Sequence, residues 1–401
     1  MFSQITSYSN LEAAYLEIIE QFAADRRNFK YHGIDNIFLR DIELKSREII
    51  KIIRADFLCK KEIEPALLVK IAKKNKPGEF REIFIYNLKE RIKAQAIYRV
   101  ILPIFEAKFS HRLFSYRPNK PPYLAARIFC RRYRQKFLTD QALILDLKNY
   151  SDRIDRDLMF AKLQALFDDQ DLLDTLHLFV FNKVYRDGKC ELPDKGLVQG
   201  VPLIALFANL YLTELDFKYQ SQADFYVRVG DDIALLDNDG DKLKALSTEI
   251  ITDLDSLKLE LNKQKLFFGP AKSKFSYLGY DFEGGLISLE PAYITRIEQE
   301  WKNILAYQHL KLKGKQYLIK KKMLQPTGNF NFQFQKIIKD KSQINNAKQI
   351  KKMSEDFFSI MTKFFFTHYS MRNRRLLEEL LADYNIVSLY KTYQNFHYEK
   401  H

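Results

Sequence analysis

The sequence predicts an α+β protein in which helices pack against one face of an antiparallel sheet. A continuous apolar run over residues 142–147 is typical of a buried strand, and it carries one charge, Asp146. Residues 225–236 contain two short apolar segments joined by Gly-Asp-Asp, a pattern typical of a β-hairpin. Segments with apolar residues at helical spacing lie before and after both features, which indicates alternation of strands and helices.

The remaining elements follow from local patterns. Pro202 fits the first position of a helix that runs to about Tyr219. Residues 70–85 contain a basic stretch with a Pro77-Gly78 turn between apolar segments, which predicts a hairpin with a basic tip. Apolar spacing predicts further helices over residues 11–23, 42–57, 158–167, 172–185 and 241–257.

The C-terminal part has a different character. A further pair of strands ends at Phe282, and a lysine-rich helical region begins near Tyr293, so we expect a boundary at residues 284–292. Within this region Phe330, Phe332 and Phe334 alternate with polar residues, which predicts a short strand or an extended arm.

The composition limits the partners of the protein. The 401 residues are 46% hydrophobic, and 65 basic against 51 acidic residues give a net charge of +14. Such an excess of basic residues favours nucleic acid as a partner, although a basic surface exposed to solvent would give the same net charge. Three scattered cysteines exclude a disulfide framework and a zinc motif. No segment resembles a membrane span or a secretory signal, so we expect no membrane partner and a cytoplasmic protein.

Three aspartates form the candidate catalytic group. Taken alone, Asp231-Asp232 is most simply a solvated turn. Asp146 changes this interpretation, because a charge inside an apolar strand is costly unless it is paired or binds a metal. Two such positions in one sheet would bind two divalent ions, and ions held in this way can activate an attacking 3′-hydroxyl and stabilise a leaving pyrophosphate. Oxygen ligands suit Mg²⁺, with Mn²⁺ as the alternative ion.

These aspartates belong to a series of motifs that resembles the prokaryotic reverse transcriptases related to those of group II introns and retrons. The resemblance covers roughly residues 65–283. The motifs are, in order, Lys73 to Lys76 with Arg81, Phe114-Ser115-Tyr116-Arg117-Pro118, Asp146 to Asp155, Gly196 to Leu203 with Ala208 to Leu212 and Leu215-Asp216, Val229-Gly230-Asp231-Asp232, Leu261-Asn262 with Lys265, and Phe275 to Tyr280.

The resemblance implies an RNA-directed DNA polymerase with a right-hand fold. It implies a helical N-terminal extension over residues 1–64, fingers over 65–145, and a palm with part of the fingers over 146–283. A helical, basic thumb and C-terminal region follow over 284–401. It also implies an RNA template, a DNA primer and product, and dNTP substrates as partners.

The resemblance assigns roles to individual positions. The implied catalytic residues are Asp146, Asp231 and Asp232, and the metal-binding residues are these three and Leu147. The implied nucleotide-binding residues are Lys74, Arg81, Tyr150, Ser151, Gln199, Gly200 and Lys265. For Lys74 and Arg81, the alternative is a solvated basic turn. For Lys265, the alternative is a lysine at a helix end that has no role in binding. The expected nucleic-acid contacts are Arg117, Tyr277, Leu278, Gly279, Lys320, Lys321, Lys322, Arg372, Arg374 and Arg375; for the C-terminal lysines and arginines, the alternative is a solvated helix face.

Two positions depart from the family pattern. The family usually has an aromatic ring five positions after its first aspartate, where it blocks a ribose 2′-hydroxyl, but here this position is Ser151. Tyr150 is adjacent, yet neighbouring strand residues point to opposite faces. Val229-Gly230 replaces the usual aromatic–alanine pair, and glycine makes this hairpin more flexible. We therefore expect either weak discrimination between deoxy- and ribonucleotides or the use of an unusual substrate or template.

The segments around the motifs resemble those of stand-alone bacterial reverse transcriptases associated with phage defence and abortive infection. No His/Cys cluster follows the palm motifs, so an endonuclease domain is not expected. The implied template is a partner non-coding RNA, with a homo-oligomer or a second polymerase subunit as further partners. Retron and diversity-generating enzymes are the rival subclasses. Two alternative functions remain: template-independent or protein-templated synthesis, and RNA binding without catalysis. The second is disfavoured, because buried carboxylates that bind no metal are energetically costly.

Overall fold

The computed structural model describes residues 1–24, 34–35, 46–72, 80–311, 327–366, 369–383 and 387–398. Its helices and its mainly antiparallel strands confirm the predicted α+β class. The chain divides into two compact units. Unit 1 comprises residues 1–125 and 141–268, and unit 2 comprises residues 126–140 and 269–401.

Unit 1 begins with helices that pack around one long helix, Leu88–Lys108. The packing helices are Phe2–Ile5, Tyr8–Ala24 and Ser46–Leu58. In the second of these, the buried residues recur every three or four positions: Leu11, Ala14, Tyr15 and Ile18. This spacing places them on one face of the helix, which explains why the predicted helix forms.

A small sheet contains the predicted basic hairpin. Strands β1 (Ala66–Ala72) and β2 (Phe80–Ile85) pair antiparallel, with Leu67 opposite Ile85 and Ala72 opposite Phe80. Strands β4 (Val184–Arg186) and β5 (Lys189–Glu191) complete the order β2-β1-β4-β5. The hairpin strands are therefore confirmed, whereas its tip, with Lys74, and the side chain of Arg81 lie outside the described residues.

The central sheet has the strand order β6-β7-β3-β8. Its strands are β3 (Gln141–Asp146), β6 (Phe225–Val229), β7 (Asp232–Asp237) and β8 (Phe267–Pro270), of which the last crosses from unit 1 into unit 2. The apolar residues of β3 are buried, as its continuous apolar run predicts. The helices that complete unit 1 are Arg156–Gln164, Gln170–Val180, Pro202–Tyr211, Thr213–Gln222 and Gly240–Ser256.

Two predicted helices of unit 1 end earlier than expected. The helix that begins at Pro202 breaks at Leu212, and a second helix follows it. The helix predicted over residues 172–185 ends at Val180, because β4 pairs with β1 and β5. In the second case the strand pairing of β4 overrides a local apolar pattern.

Unit 2 joins a small antiparallel sheet to several helices. Its sheet contains β9 (Phe275–Tyr277), β10 (Tyr280–Glu283) and β11 (Leu286–Leu289). Its helices are the end of Pro122–Lys136, followed by Pro291–Lys311, Thr327–Asp340, Ala347–Phe366, Met371–Asp383 and Leu389–Tyr398. Within the described residues, none of the helices is both long and apolar enough to cross a membrane.

The predicted strand or extended arm at Phe330 to Phe334 is wrong. These residues lie in the helix Thr327–Asp340. Phe334, Ile337 and Ile338 are buried at helical spacing, and the Phe334 ring lies 4.8 Å from that of Phe357. The helical repeat of buried residues therefore outweighs the alternation seen in the sequence.

Candidate active site

The three aspartates meet at one end of the central sheet. Asp146 is the last residue of β3 and lies directly opposite Asp232, the first residue of β7. Asp231 occupies the turn that joins β6 to β7, and its carbonyl accepts a 3.1 Å hydrogen bond from the Leu147 amide. Directly opposed residues of an antiparallel pair have Cβ atoms about 5 Å apart. The fold thus brings together the carboxyl groups that the sequence singled out.

Burial and the neighbouring negative charges disfavour the charged forms of Asp231 and Asp232. Burial raises the pKa of Asp232 to about 7, and the charges of Asp231 and Asp146 add to the effect. Burial also raises the pKa of Asp231, with the Asp146 charge acting in the same direction. A cation at this point would relieve the repulsion and restore the ionised carboxylates.

Asp146 is held by two residues of the segment that follows the helix Gly240–Ser256. Asn262 donates to one carboxylate oxygen at 2.9 Å, and the Lys265 ammonium donates to the other at 2.6 Å. Burial works against the charged form of Lys265, but the hydrogen bond and the three aspartates keep its pKa above its ordinary value. Lys265 therefore stays cationic and offsets part of the negative charge.

The aspartates fit oxygen-ligated divalent ions, although they do not form a complete cage. Within the described residues, no three His, Cys, Asp or Glu side chains form an arrangement that could hold a metal ion by themselves. Mg²⁺ usually takes one or two carboxylates and completes its shell with waters and substrate phosphates. Three closely spaced carboxylates, two of which (Asp231 and Asp232) have a raised pKa, are consistent with such an open site.

A buried ion pair supports the hairpin that carries Asp231. Arg228 and Asp216 are both 0% exposed, and two 2.7 Å hydrogen bonds join the guanidinium to the carboxylate. The Tyr226 hydroxyl donates to the same carboxylate at 2.7 Å. A further guanidinium nitrogen donates to the Gly230 carbonyl at 3.0 Å, so this ion pair fixes the backbone beside Asp231.

A second contact holds the same turn from its amide side. The Gly230 amide donates to the Ser115 hydroxyl oxygen at 2.9 Å, and this hydroxyl donates to Asn209 at 3.0 Å. Gly230 has a φ of +63°, a left-handed conformation that favours glycine. The hairpin is therefore bonded on both sides of Gly230, which reduces the flexibility expected from the glycine.

Several predicted nucleotide-binding residues surround a cavity next to the aspartates. The cavity has a volume of about 260 Å³. Its walls include Tyr116, Ser151, Asp152, Gln199, Gly230 and Asp231. The structure thus brings Ser151 and Gln199 to the same space as Asp231. The Gln199 amide lies 3.4 Å from the Asp152 carboxylate.

The strand geometry expected at Tyr150 and Ser151 is wrong. Residues 150–152 form a 3₁₀ turn rather than a continuation of β3. Tyr150 also borders the cavity, but its side chain is buried and its hydroxyl donates to the Ala208 carbonyl. Its ring is therefore part of the core, and its assignment to nucleotide binding stays a prediction.

Gly200 makes a close approach, but to another part of the protein. Its φ is +122°, and a Cβ at this position would lie 2.6 Å from the Phe84 carbonyl oxygen of β2. The glycine therefore allows the loop to pass against the hairpin strand. The expected approach to a nucleotide remains a prediction.

Arg117 is bonded within the protein. Its side chain is 6% exposed and pairs with Glu106 at 2.8 Å. It also donates to the carbonyls of Ser110 and Leu113, at 2.7 and 3.1 Å. Because its guanidinium is buried and bonded within the protein, Arg117 anchors this loop, and its expected contact with a template stays a prediction.

The other expected nucleic-acid contacts lie in unit 2 or outside the described residues. Leu278 and Gly279 form a left-handed turn after the buried Tyr277, and Lys341 donates to the Leu278 carbonyl at 3.0 Å. Arg374 pairs with Glu378 at 2.9 Å. Arg372 and Arg375 are exposed, whereas Lys320, Lys321 and Lys322 lie outside the described part.

Basic residues near Gln199 were missed at the sequence level. A cavity of about 440 Å³ shares Asn149, Asp152 and Gln199 with the first one, and Arg156, Arg186 and Lys195 also line it. They are far apart in the sequence, so no local pattern indicated them. Arg228 was also missed, although a charge within an apolar strand was the same signal that singled out Asp146.

Comparison with known proteins identifies the family. A family model described as reverse transcriptase (RNA-dependent DNA polymerase) matches residues 71–282. This match covers more than half of the 401 residues. The chain belongs to this family of RNA-dependent DNA polymerases. No curated protein sequence matches the chain significantly.

The chain also has similarity to solved telomerase structures. It matches a truncated apo telomerase from Candida tropicalis with a TM-score of 0.43 and 18% identity over 61% of this chain and 60% of that one. For the apo telomerase of the same species without this truncation, the TM-score is 0.47 at 14% identity, with coverage of 84% and 71%. A Candida albicans telomerase in complex with a telomeric RNA fragment gives 0.44 at 14% identity, covering 85% and 67%. The chain therefore spans 60% of the length of the truncated telomerase.

Proposed function

We propose that unit 1 contains a polymerase site that joins a dNTP to a primer 3′-hydroxyl on an RNA template. The observation that carries this proposal is the register of the central sheet, in which Asp146 lies opposite Asp232 and beside the turn residue Asp231. Family membership supplies the reaction, since the match to the reverse transcriptase family includes all three residues. The adjacent cavity offers space for a nucleotide next to these carboxylates.

The three aspartates would hold two divalent ions, with Mg²⁺ as the expected metal and Mn²⁺ as the alternative. When bound, the ions supply activation of the 3′-hydroxyl and stabilisation of the leaving pyrophosphate. The backbone around Leu147, which is bonded to the Asp231 carbonyl, keeps the carboxylates in place. Arg228 and Ser115 fix the hairpin from its two sides, so the ligands are oriented before substrate arrives.

The nucleotide would lie with its triphosphate toward the aspartates and its sugar in the 260 Å³ cavity. Ser151 and Gln199 border this space, and Lys265 reaches the same carboxylates from another segment. We propose that Lys265 exchanges its contact with Asp146 for the leaving pyrophosphate and donates a proton to it. Lys74 and Arg81 remain the proposed contacts to the outer phosphates.

The nucleic-acid path and the division into fingers, palm and thumb are part of the same proposal. Residues 65–145 are proposed as fingers, 146–283 as palm with part of the fingers, and 284–401 as thumb and C-terminal region, after an N-terminal extension over 1–64. The turn at Leu278-Gly279 and the exposed arginines of the helix Met371–Asp383 would contact the primer–template.

We also propose that the template is a partner non-coding RNA and that the enzyme acts in antiviral defence. This part rests on resemblance to stand-alone defence-associated reverse transcriptases. The proposed template is tested by purification of the protein from its native host, followed by sequencing of the bound RNA and DNA. A defined RNA with complementary DNA is expected. DNA with no matching RNA would contradict templated synthesis and favour the untemplated alternative.

A non-catalytic RNA-binding role makes a different prediction. Replacing Asp231 and Asp232 by alanine should abolish the biological effect if the protein acts as a polymerase. A binding protein would retain its effect, because these residues are confined to one end of the central sheet.

A further inference from the structure

The cavity beside the aspartates lacks a ring at the expected place. Ser151 occupies the position from which the family usually projects an aromatic side chain. Tyr150 does not replace it, because its hydroxyl is bonded to the Ala208 carbonyl and its side chain is 6% exposed. Ser151 and Asp231 both line this cavity, which has a volume of about 260 Å³.

A different aromatic residue borders the same space. Tyr116 lines this cavity together with Ser151, Gln199 and Asp231, and it is 65% exposed. It comes from the loop before the helix Pro122–Lys136, which is distant in sequence from position 151. Of the two tyrosines that line the cavity, Tyr116 is the one whose ring is accessible to a ligand.

The backbone holds Tyr116 in an unusual and well-anchored conformation. Its φ is +53°, a left-handed value that costs a non-glycine residue about 1 kcal/mol or more. Ser115, on one side, is buried and accepts the Gly230 amide at 2.9 Å. Arg117, on the other side, is fixed by Glu106 at 2.8 Å. Both neighbours are anchored, and the exposed ring between them lies beside the hairpin that carries Asp231.

The order of groups in a nucleotide decides which part meets this ring. The triphosphate must reach the aspartates, and the sugar is the next group along the molecule. The walls immediately beside Asp231 therefore surround the sugar, and these walls include Tyr116 and Ser151. An exposed tyrosine side chain changes rotamer within nanoseconds, so its ring can close on a bound sugar.

We propose that Tyr116 is a specificity-determining residue that packs against the sugar of the incoming nucleotide and excludes a 2′-hydroxyl. This inference rests on the proposed function, because it requires a nucleotide at this site. Selectivity arises from a steric clash with the unwanted substrate, which the small side chain of Ser151 cannot provide. This proposal differs from the expectation of weak sugar discrimination, because that expectation considered position 151 alone.

The test compares incorporation of a dNTP and the matching ribonucleotide on one primer–template. The variants are Tyr116→Ala, Tyr116→Asn and Tyr116→Phe. Asparagine removes the ring yet tolerates the left-handed backbone, so it serves where the alanine variant does not fold. Tyr123→Ala is the matched control, because Tyr123 is 59% exposed on the following helix and does not line the cavity.

Loss of the ring should reduce the ratio of kcat/KM for the dNTP to that for the ribonucleotide by about tenfold or more. Tyr116→Phe and Tyr123→Ala should keep the wild-type ratio. A residue that only supports the fold would lower both kcat/KM values and leave their ratio unchanged. An unchanged ratio in Tyr116→Ala and Tyr116→Asn, or a wild-type ratio near one, overturns the inference.

Failure of the proposed function has a separate signature. An Asp231→Asn variant run in parallel shows which incorporation depends on the site. If the wild type and Asp231→Asn incorporate nucleotides equally, or neither does, the proposed function fails and this inference fails with it. If such incorporation occurs with a ratio that does not depend on Tyr116, only the inference about Tyr116 fails.

Discussion

Replacing Arg228 by methionine should destabilise unit 1 by about 3–5 kcal/mol, because a buried carboxylate then loses its counter-charge. Arg228 and Asp216 are both 0% exposed and share two 2.7 Å hydrogen bonds. The Tyr226 hydroxyl remains bonded to the carboxylate, but a neutral donor cannot offset a full charge. Chemical denaturation followed by circular dichroism measures the free energy of unfolding of the variant against that of the wild type.

A double variant separates stability from positioning. Arg228→Met combined with Asp216→Leu removes both charges, and it should recover most of the lost stability, since apolar residues often replace a buried ion pair without net cost. Its polymerase activity should stay low, because the Gly230 carbonyl still lacks its 3.0 Å donor. A loss below about 1 kcal/mol in the single variant would refute the reasoning about buried charge. Full activity in the double variant would refute the positioning role.

Three further changes test other parts of the site. Lys265→Ala should lower kcat by about 100-fold or more with a smaller change in KM, as loss of a general acid requires, and an effect on KM alone would contradict the proton transfer. Gly200→Ala should lower the free energy of unfolding by about 1–3 kcal/mol in denaturation experiments, because its Cβ would lie 2.6 Å from the Phe84 carbonyl oxygen. An unchanged free energy of unfolding would show that this close approach does not matter for stability. Chelation of divalent ions should stop DNA synthesis and excess Mg²⁺ should restore it, whereas synthesis that persists in the chelator would exclude the two-ion site.

The sequence was sufficient to predict that the three aspartates come together. Asp146 is a charge at the end of an apolar strand, and Asp231-Asp232 lies in a hairpin turn, so each has a local signal. Their juxtaposition needed only the pairing of β3 with β7, which places Asp146 opposite Asp232. Short-range patterns therefore predicted both the elements and the residues that meet at their ends.

The supporting contacts could not be predicted in the same way. Ser115 bonds to Gly230 across 115 positions of sequence, and no periodic pattern encodes such a contact. The strand geometry expected at Tyr150 was wrong because the chain leaves the strand at Asp146 and enters a 3₁₀ turn. The alternating phenylalanines at 330–334 misled for a related reason, since the helix that contains them is stabilised by packing against distant residues.

The most direct test of the central claim compares primer extension on a defined RNA template by the wild type, Asp231→Asn and Asp168→Asn. Asp168 is an exposed aspartate outside the site, so its variant makes the same chemical change away from the proposed metal ligands. We predict Mg²⁺-dependent DNA synthesis by the wild type and by Asp168→Asn, and a loss of at least about 100-fold in Asp231→Asn with unchanged stability. Equal synthesis by all three proteins would contradict the assignment of catalysis to the aspartates of the central sheet.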